Sequence, residues 1–235
     1  MHPLNLTVED GSVNPGRALV IGAHPDDCDF GAGATTAAWT RLGWSFDFVC
    51  VTDGSRGTRD GQARRDLLAN QRRSEQEASA RLLGAGVVKF LAFEDGAVTY
   101  GEPLLEAVVA VLREMAPDIV FTHTPDPLDF RPFDRRQGAW VNHRDHRAVA
   151  QAVLDAVYPC ARDPLFYPHL ELPVHQVRSV YLWGARDADV RVECGEYLDL
   201  KVEALACHQS QFAERDWAPI RAAWPAYEAF QKVCL

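Results

Sequence analysis

The chain has no apolar run approaching the ~18 residues of a membrane-spanning helix, and no basic segment followed by an apolar stretch at its start. We therefore expect neither a membrane span nor a secretory signal. It is also short of positive charge: 24 Lys and Arg against 33 Asp and Glu leave a formal net charge of -9. Nucleic acid and anionic membranes recruit clustered Lys and Arg, so that balance argues against both as partners. Cysteine is sparse and scattered. The six, at 28, 50, 160, 194, 207 and 234, form no Cys-x-x-Cys pair and no dense framework, so they read as free thiols and a cytoplasmic location is expected. There is no internal repeat and no low-complexity tract. What is there, 235 residues of which 47% are hydrophobic and 24% charged, suits one globular domain over 1–235.

Short runs rich in Val, Ile and Phe, at Val20–Ala23, Phe46–Thr52, Val87–Phe93, Asp118–Thr122 and Ser179–Trp183, have the composition of strands buried on both faces. Between them, Gly31–Leu42, Gln62–Leu83, Glu102–Met115 and His143–Val157 carry apolar or small residues at helical spacing. Gly84 is placed to cap the second helix and Pro117 to stop the third. Strand alternating with helix predicts an α/β fold: Rossmann-like, mainly parallel, with helices on both faces of the sheet. Two stretches interrupt the alternation. The segment 124–142 is rich in Pro, Asp and Arg and leads into His143, which reads as a binding loop or a solvated surface loop. The segment 158–178, with Phe166, Tyr167 and four prolines, reads as a wall of a substrate cleft or a surface where subunits of a homo-oligomer meet.

The chemistry concentrates where the first buried strand ends. Ala23-His24-Pro25-Asp26-Asp27 places an imidazole and two carboxylates where α/β sheets put their sites. Neutral imidazole and carboxylate are ligand types for Zn²⁺ or Fe²⁺. His143-Arg144-Asp145-His146 opens a helix and sets two imidazoles three residues apart, on one face of its first turn. Capping of the helix accounts for one aspartate but leaves His24, the second Asp and the His143/His146 pair unconnected. Binding of one ion by His24, Asp27 and His146 connects them and leaves an open position, as in a catalytic site. Asp26 is then placed as general base. His143 is placed to meet a developing oxyanion or protonate a leaving amine, and Asp145 to orient one of the imidazoles. These parts fit metal-assisted hydrolysis of an amide. A lone histidine is more often structural, so His123, His169 and His175 stay outside this set.

These motifs resemble the LmbE-like family of zinc-dependent N-acetylglucosamine deacetylases, which includes the glycosylphosphatidylinositol de-N-acetylases and the deacetylases of mycothiol and bacillithiol synthesis. Thr52-Asp53-Gly54, Arg72 to Gly84, Glu94-Asp95-Gly96 and Lys201 with His208-Gln209-Ser210-Gln211 extend the resemblance over roughly 17–212. It implies removal of an acetyl group from a small amino-sugar substrate with one Zn²⁺, or Fe²⁺ in its place. It assigns His24, Asp27 and His146 to the metal, Asp26 to the base, and His143 to the oxyanion or acid. Arg72 and Asp95 match sugar-contacting positions, and Asp53, in a loop at the site, is expected to bind substrate with them; Arg72 also reads as a surface ion pair with Glu75 or Glu77. Some relatives carry Tyr two residues before the first His of His-x-x-His where this chain has Val141, so any role of that phenol passes to Tyr158 or Tyr167 or is absent.

Other readings compete. An amidase acting on a different acyl conjugate would use the same groups. A dinucleotide-binding oxidoreductase is suggested by Gly31-Ala32-Gly33 with Asp53 beyond, but Thr36 takes the third glycine position and a polar stretch separates strand from glycines. Those glycines read better as a site of close helix–strand packing. A non-haem iron oxygenase shares the ligand types but not the alternating pattern. Cys28 has no base beside it and reads as a small apolar residue. A noncatalytic sugar- or metal-binding protein would tolerate loss of Asp26.

Overall fold

The computed structural model describes residues 7–8, 15–130 and 139–235. In chain order its elements are β1 (Thr7–Val8), β2 (Arg17–Gly22), α1 (Asp27–Thr40), β3 (Ser45–Thr52), α2 (Arg65–Leu83), β4 (Val88–Phe93), α3 (Glu102–Met115) and β5 (Ile119–His123). A short pair, β6 (Leu128–Asp129) and β7 (Trp140–Val141), precedes α4 (Arg144–Val157), β8 (Ser179–Trp183) and β9 (Val190–Glu193). The chain continues through α5 (Leu198–Ala206), α6 (Gln209–Phe212), α7 (Ala218–Ala223) and β10 (Tyr227–Cys234).

The main sheet runs β1-β9-β10-β8-β5-β2-β3-β4. It is parallel from β8 to β4, and β10 lies antiparallel between β8 and β9. Alternation along each strand makes two cores. Leu19, Ile21, Val49, Val51, Val120, Val180 and Leu182 face one side, under α3 and α4. Val20, Phe46, Phe48, Phe121, Tyr181, Trp183 and Phe230 face the other, under α1, α2 and α5. The aromatic side leaves α1 little room, which explains its small residues. A Cβ on Gly31 would come within 2.4–2.6 Å of the Trp183 indole, so Gly31-Ala32-Gly33 serves close packing.

The expected strands and helices are present, with shifts that bear on function. α1 starts at Asp27 rather than Gly31, because the polar stretch after β2 is itself its first turn. α1 is also broken at Ala32 (φ -142°, ψ 21°). Lys201 from α5 and Glu228 from β10 enter the break: Lys201 Nζ donates to the Phe30 carbonyl (2.8 Å) and to Glu228 Oε1 (2.6 Å), while Ala34 and Thr35 N–H donate to the Glu228 carboxylate (3.2 and 2.8 Å). The α2 terminus is as expected, with Gly84 at φ 87° receiving the helix end.

Successive strands β2, β3 and β4 move to one side, then the chain returns through α3 to place β5 against the other edge of β2. The carboxyl ends of β2 and β5 therefore flank a topological switch point, where open α/β sheets bind ligands. His24 to Asp27 follow β2 there, and His123 ends β5. No helix among the described residues is long and apolar enough to cross a membrane.

Candidate metal centre and active site

The residues after β2 turn sharply. Asp26 sits at φ 106°, a left-handed conformation costly for a residue with a side chain and typical of functional sites. Two contacts hold it there. Its N–H donates to Gln76 Oε1 (2.7 Å), and its carboxylate meets Arg72 Nη2 (3.1 Å). Arg72 is in turn fixed on the carbonyls of Pro25 and Gly54. Gly54 must be glycine: its φ is +65°, and a Cβ would lie 2.6 Å from the guanidinium. Arg72 is buried, so its reading as a surface ion pair with Glu75 or Glu77 is corrected. Glu75 instead accepts from the backbone and hydroxyl of Ser210 (2.8 and 2.6 Å).

The fold brings the His24 and His146 motifs together across 122 positions of sequence. His24 Nδ1 lies 3.2 Å from His146 Nε2 and 3.2 Å from one Asp27 oxygen, and His146 Nε2 lies 3.3 Å from the other. A tetrahedral ion with bonds of about 2.0–2.1 Å separates its ligand atoms by about 3.3 Å. The three side chains therefore fit one small divalent cation. Their far sides are committed elsewhere, which settles which nitrogens face inward. His24 Nε2 meets Asp95 Oδ1 (3.2 Å) and Asp145 Oδ2 (3.3 Å), and His146 Nδ1 meets Asn142 Oδ1 (3.2 Å). Asn142 is oriented by donating to the Thr124 and Asp126 carbonyls (both 2.9 Å).

Charge points the same way. Asp26, Asp27 and Asp95 line one cleft, with Asp145 buried behind His24 and Arg72 as their buried guanidinium. Burial opposes a charged His24, yet hydrogen bonds to Asp145, Asp27 and Asp95 outweigh it and hold the imidazole pKa well above its ordinary value. Burial would raise the Asp27 carboxyl, but the charges of His146 and His123 and their hydrogen bonds keep it well below the usual range. Burial pushes the Asp26 carboxyl up, with the charge of Asp27, against the pull of Arg72. The cluster is built to hold positive charge: ligand-type atoms also gather as His24/His143/His146 and Asp27/His123/His146, and as His24/Asp95/Asp145 on the far side of the His24 ring.

His143 caps α4: its Nδ1 accepts the Asp145 N–H (3.2 Å). In the neutral ring that leaves the proton on Nε2, available to the cleft it lines. Burial, and then the charges of His24 and His146, lower its pKa and favour this neutral form. Asp145 is fully buried, accepts from Gly96 N–H (2.7 Å) and orients His24. Asp95 accepts the Arg56 N–H (2.7 Å) and, like Arg72, lines the cleft. Asp53 instead accepts the Ser55 N–H (2.9 Å) within its own turn and is not among the lining residues.

Sequence reasoning passed over His123 as a lone histidine. The structure stacks it on His146, centroids 3.9 Å apart and nearly parallel at 13°. Trp183 Nε1 donates to His123 Nδ1 (3.0 Å), and His123 Nε2 accepts the Ala23 N–H (3.2 Å) and lies 3.3 Å from Asp27 Oδ2. His123 thus braces Asp27. The available signal was a histidine ending a strand beside β2. His169 and His175 bind Glu106 (2.8 Å) and the Pro117 carbonyl (2.7 Å), away from the cluster.

The cleft, of about 610 Å³, is lined beyond these groups by Phe30, Arg56, Gly57, Phe212, Arg215, Trp217 and Ile220. Its outer wall therefore comes from α6 and α7, and no residue of 158–178 lines it, which corrects the cleft-wall reading of that segment. Tyr158 and Tyr167 do not replace a phenol at Val141: Tyr167 donates to Glu102 (2.7 Å) and Val141 is exposed on β7. In the loop 124–142, residues 131–138 lie outside those described.

Comparison with known proteins identifies the family. The family model described as GlcNAc-PI de-N-acetylase (PIG-L) matches residues 19–157. Diacetylchitobiose deacetylase of Thermococcus kodakarensis is 30% identical over 203 residues, 86% of this chain and 72% of that one. A probable N-acetyl-alpha-D-glucosaminyl L-malate deacetylase 2 of Bacillus anthracis is 26% identical over 209 residues, 86% of this chain and 84% of the relative. The solved N,N'-diacetylchitobiose deacetylase from Pyrococcus horikoshii superposes with a TM-score of 0.80 at 27% identity, covering 93% of this chain and 84% of the other. The chain is therefore an enzyme of the GlcNAc-PI de-N-acetylase (PIG-L) family.

Proposed function

We propose that the protein is a zinc-dependent hydrolase that removes the acetyl group from an N-acetylglucosamine-type substrate. The observation that carries this reading is the triangle of His24 Nδ1, His146 Nε2 and the Asp27 carboxylate, 3.2–3.3 Å on each side, with Asp26 beside it. The names of the relatives supply the acetamide and the sugar. His24, Asp27 and His146 would hold the Zn²⁺, which when bound would supply a Lewis acid able to bring the pKa of water to about 7 and polarise a carbonyl oxygen.

The remaining roles fall to side chains. Asp26, its basicity raised by burial, removes a proton from the attacking water as the new C–O bond forms at the acetamide carbon. His143 Nε2–H donates to the carbonyl oxygen as negative charge builds on it. The C–N bond then breaks as the nitrogen takes a proton from Asp26, giving acetate and the free amine. Asp145 fixes both imidazoles, one through its carboxylate and one through its N–H. Arg72 and Asp95, on the cleft wall, are placed to meet sugar hydroxyls.

Acetate release from N-acetylglucosamine glycosides, with zinc-loaded and chelator-treated protein, tests the reading. Asp26→Asn should keep zinc stoichiometry while cutting turnover by roughly 10² to 10⁴. Loss of zinc in that variant would move Asp26 into the ligand set, and absence of acetate from every glycoside by zinc-loaded wild type would refute the deacetylase.

A further inference from the structure

Beyond the His/Asp cluster the cleft is lined by the aromatics Phe30, Phe212 and Trp217 together with Arg56, Arg215 and Ile220. Phe30 meets Phe212 edge to face (5.6 Å, 88°), Phe212 meets Trp217 (5.4 Å, 77°), and Phe30 lies 6.3 Å from Trp217. All three are half-buried and line the cleft that holds His24 and Asp26. Phe30 stands one turn from Asp27 on α1, so the wall and the ligands share a rigid element. Phe212 and Trp217 lie beyond the 19–157 matched by the family model. They follow His208, which is buried and bound to Asp29 Oδ2 (3.0 Å). Asp29 also accepts from Gln76 Nε2 (2.8 Å), the same amide whose oxygen holds the Asp26 N–H. The wall is thus pinned to the catalytic turn through one carboxylate. Arg215 stacks on Phe212 (5.0 Å) and Trp217 (5.7 Å) and stiffens the surface.

Resting on the deacetylase reading, we propose that Phe30, Phe212 and Trp217 form a ring-stacking subsite for the group on the sugar's anomeric carbon. It takes a rigid cyclic group with a hydrocarbon face, either a second pyranose or an aryl ring, in preference to an acyclic acid. Partly exposed aromatic faces gain from a flat apolar partner and give a flexible carboxylate little. The cleft is continuous from the metal cluster to this wall, and its 610 Å³ exceeds what one sugar ring fills.

Calorimetric binding to the full chain treated with chelator, so that hydrolysis is stopped, decides the subsite without turnover, using the methyl, phenyl, β-1,4-N-acetylglucosaminyl and malyl glycosides of N-acetylglucosamine. Wild type should bind the phenyl or disaccharide compound roughly five- to tenfold more tightly than the methyl glycoside, the size of one aromatic stack. The two ring compounds distinguish an aryl from a sugar occupant. Trp217→Ala should bring that ratio close to one, and Trp217→Phe should restore much of it, which a merely structural role would not do. A malyl glycoside bound most tightly, or a ratio unaffected by Trp217→Ala, would overturn the subsite. Acetate release from the same compounds reports separately on the hydrolase: ring-selective binding without acetate would refute the reaction and leave the subsite standing.

Discussion

Removing the Glu228 carboxylate should destabilise the fold far more than its peripheral place in the sequence suggests. Glu228 is 8% exposed and Lys201 5%, so neither charge is solvated, and Glu228→Ala leaves an uncompensated ammonium inside. Removing one partner of a buried pair costs about 3–5 kcal/mol, a large share of the roughly 5–15 kcal/mol that holds a domain together. A sharper discrimination comes from Lys201→Met/Glu228→Leu. If the pair were only an ion pair, replacing both charges with apolar groups would be neutral or stabilising. Here the two side chains also serve the Phe30 carbonyl and the Ala34 and Thr35 N–H groups at the break in α1. Each buried backbone group stripped of its partner costs about 1–3 kcal/mol, so the double variant should remain at least about 2 kcal/mol below wild type. Urea unfolding in chelator, which removes any contribution from bound metal, measures this through the midpoint at unchanged m. A double variant as stable as wild type would show that the pair does not cap the broken helix.

Two other substitutions probe the site from behind. A Cβ on Gly22 would lie 2.7 Å from Asp27 Cβ and 3.3 Å from the Cys28 nitrogen, so Gly22→Ala should displace Asp27 and weaken metal binding by about tenfold or more. Chelator competition at retained far-UV circular dichroism checks it, and wild-type affinity would count against Asp27 as a ligand. Burial opposes a charged His208, but its hydrogen bond to Asp29 and the charges of Asp29 and Asp26 prevail and raise its pKa. Its stabilising contribution is therefore complete below about pH 6.5 and fades as pH rises through the raised folded-state value. The stability gap between wild type and His208→Gln should narrow as pH rises over that range; a gap that widens would mean the ring is buried neutral.

The clustering of histidine and aspartate was legible because its chemistry is local. His24 to Asp27 sit on one turn and His143 and His146 on another, so residue type and spacing exposed both halves before any contact between them was known. The residues that orient the cluster were not legible in the same way. His123 and Gln76 act through partners 96 and 50 positions away, and Asn142 reaches His146, four positions on, by a side-chain bond that its type alone does not announce. The parallel strands announced themselves as apolar runs. β10 did not, because Tyr227–Cys234 mixes polar and apolar residues and buries a glutamate with Phe230. The start of α1 was misplaced for a related reason: a polar first turn looks like a loop unless the ligands it presents are weighed as the cause of its polarity.

The position of β10 has a consequence for the order in which the molecule comes together. It is the last strand in the chain, yet it lies between β8 and β9 rather than at an edge, and through Glu228 it reaches Ala34 and Thr35 across 194 and 193 residues. Contacts of such separation form late, because the loop entropy must be met before they contribute. The helix that carries Asp27 and Phe30 into the cleft is thus completed by the last strand to arrive. A chain interrupted before residue 227 lacks that closure even with every catalytic side chain present, so competence for chemistry coincides with completion of the fold.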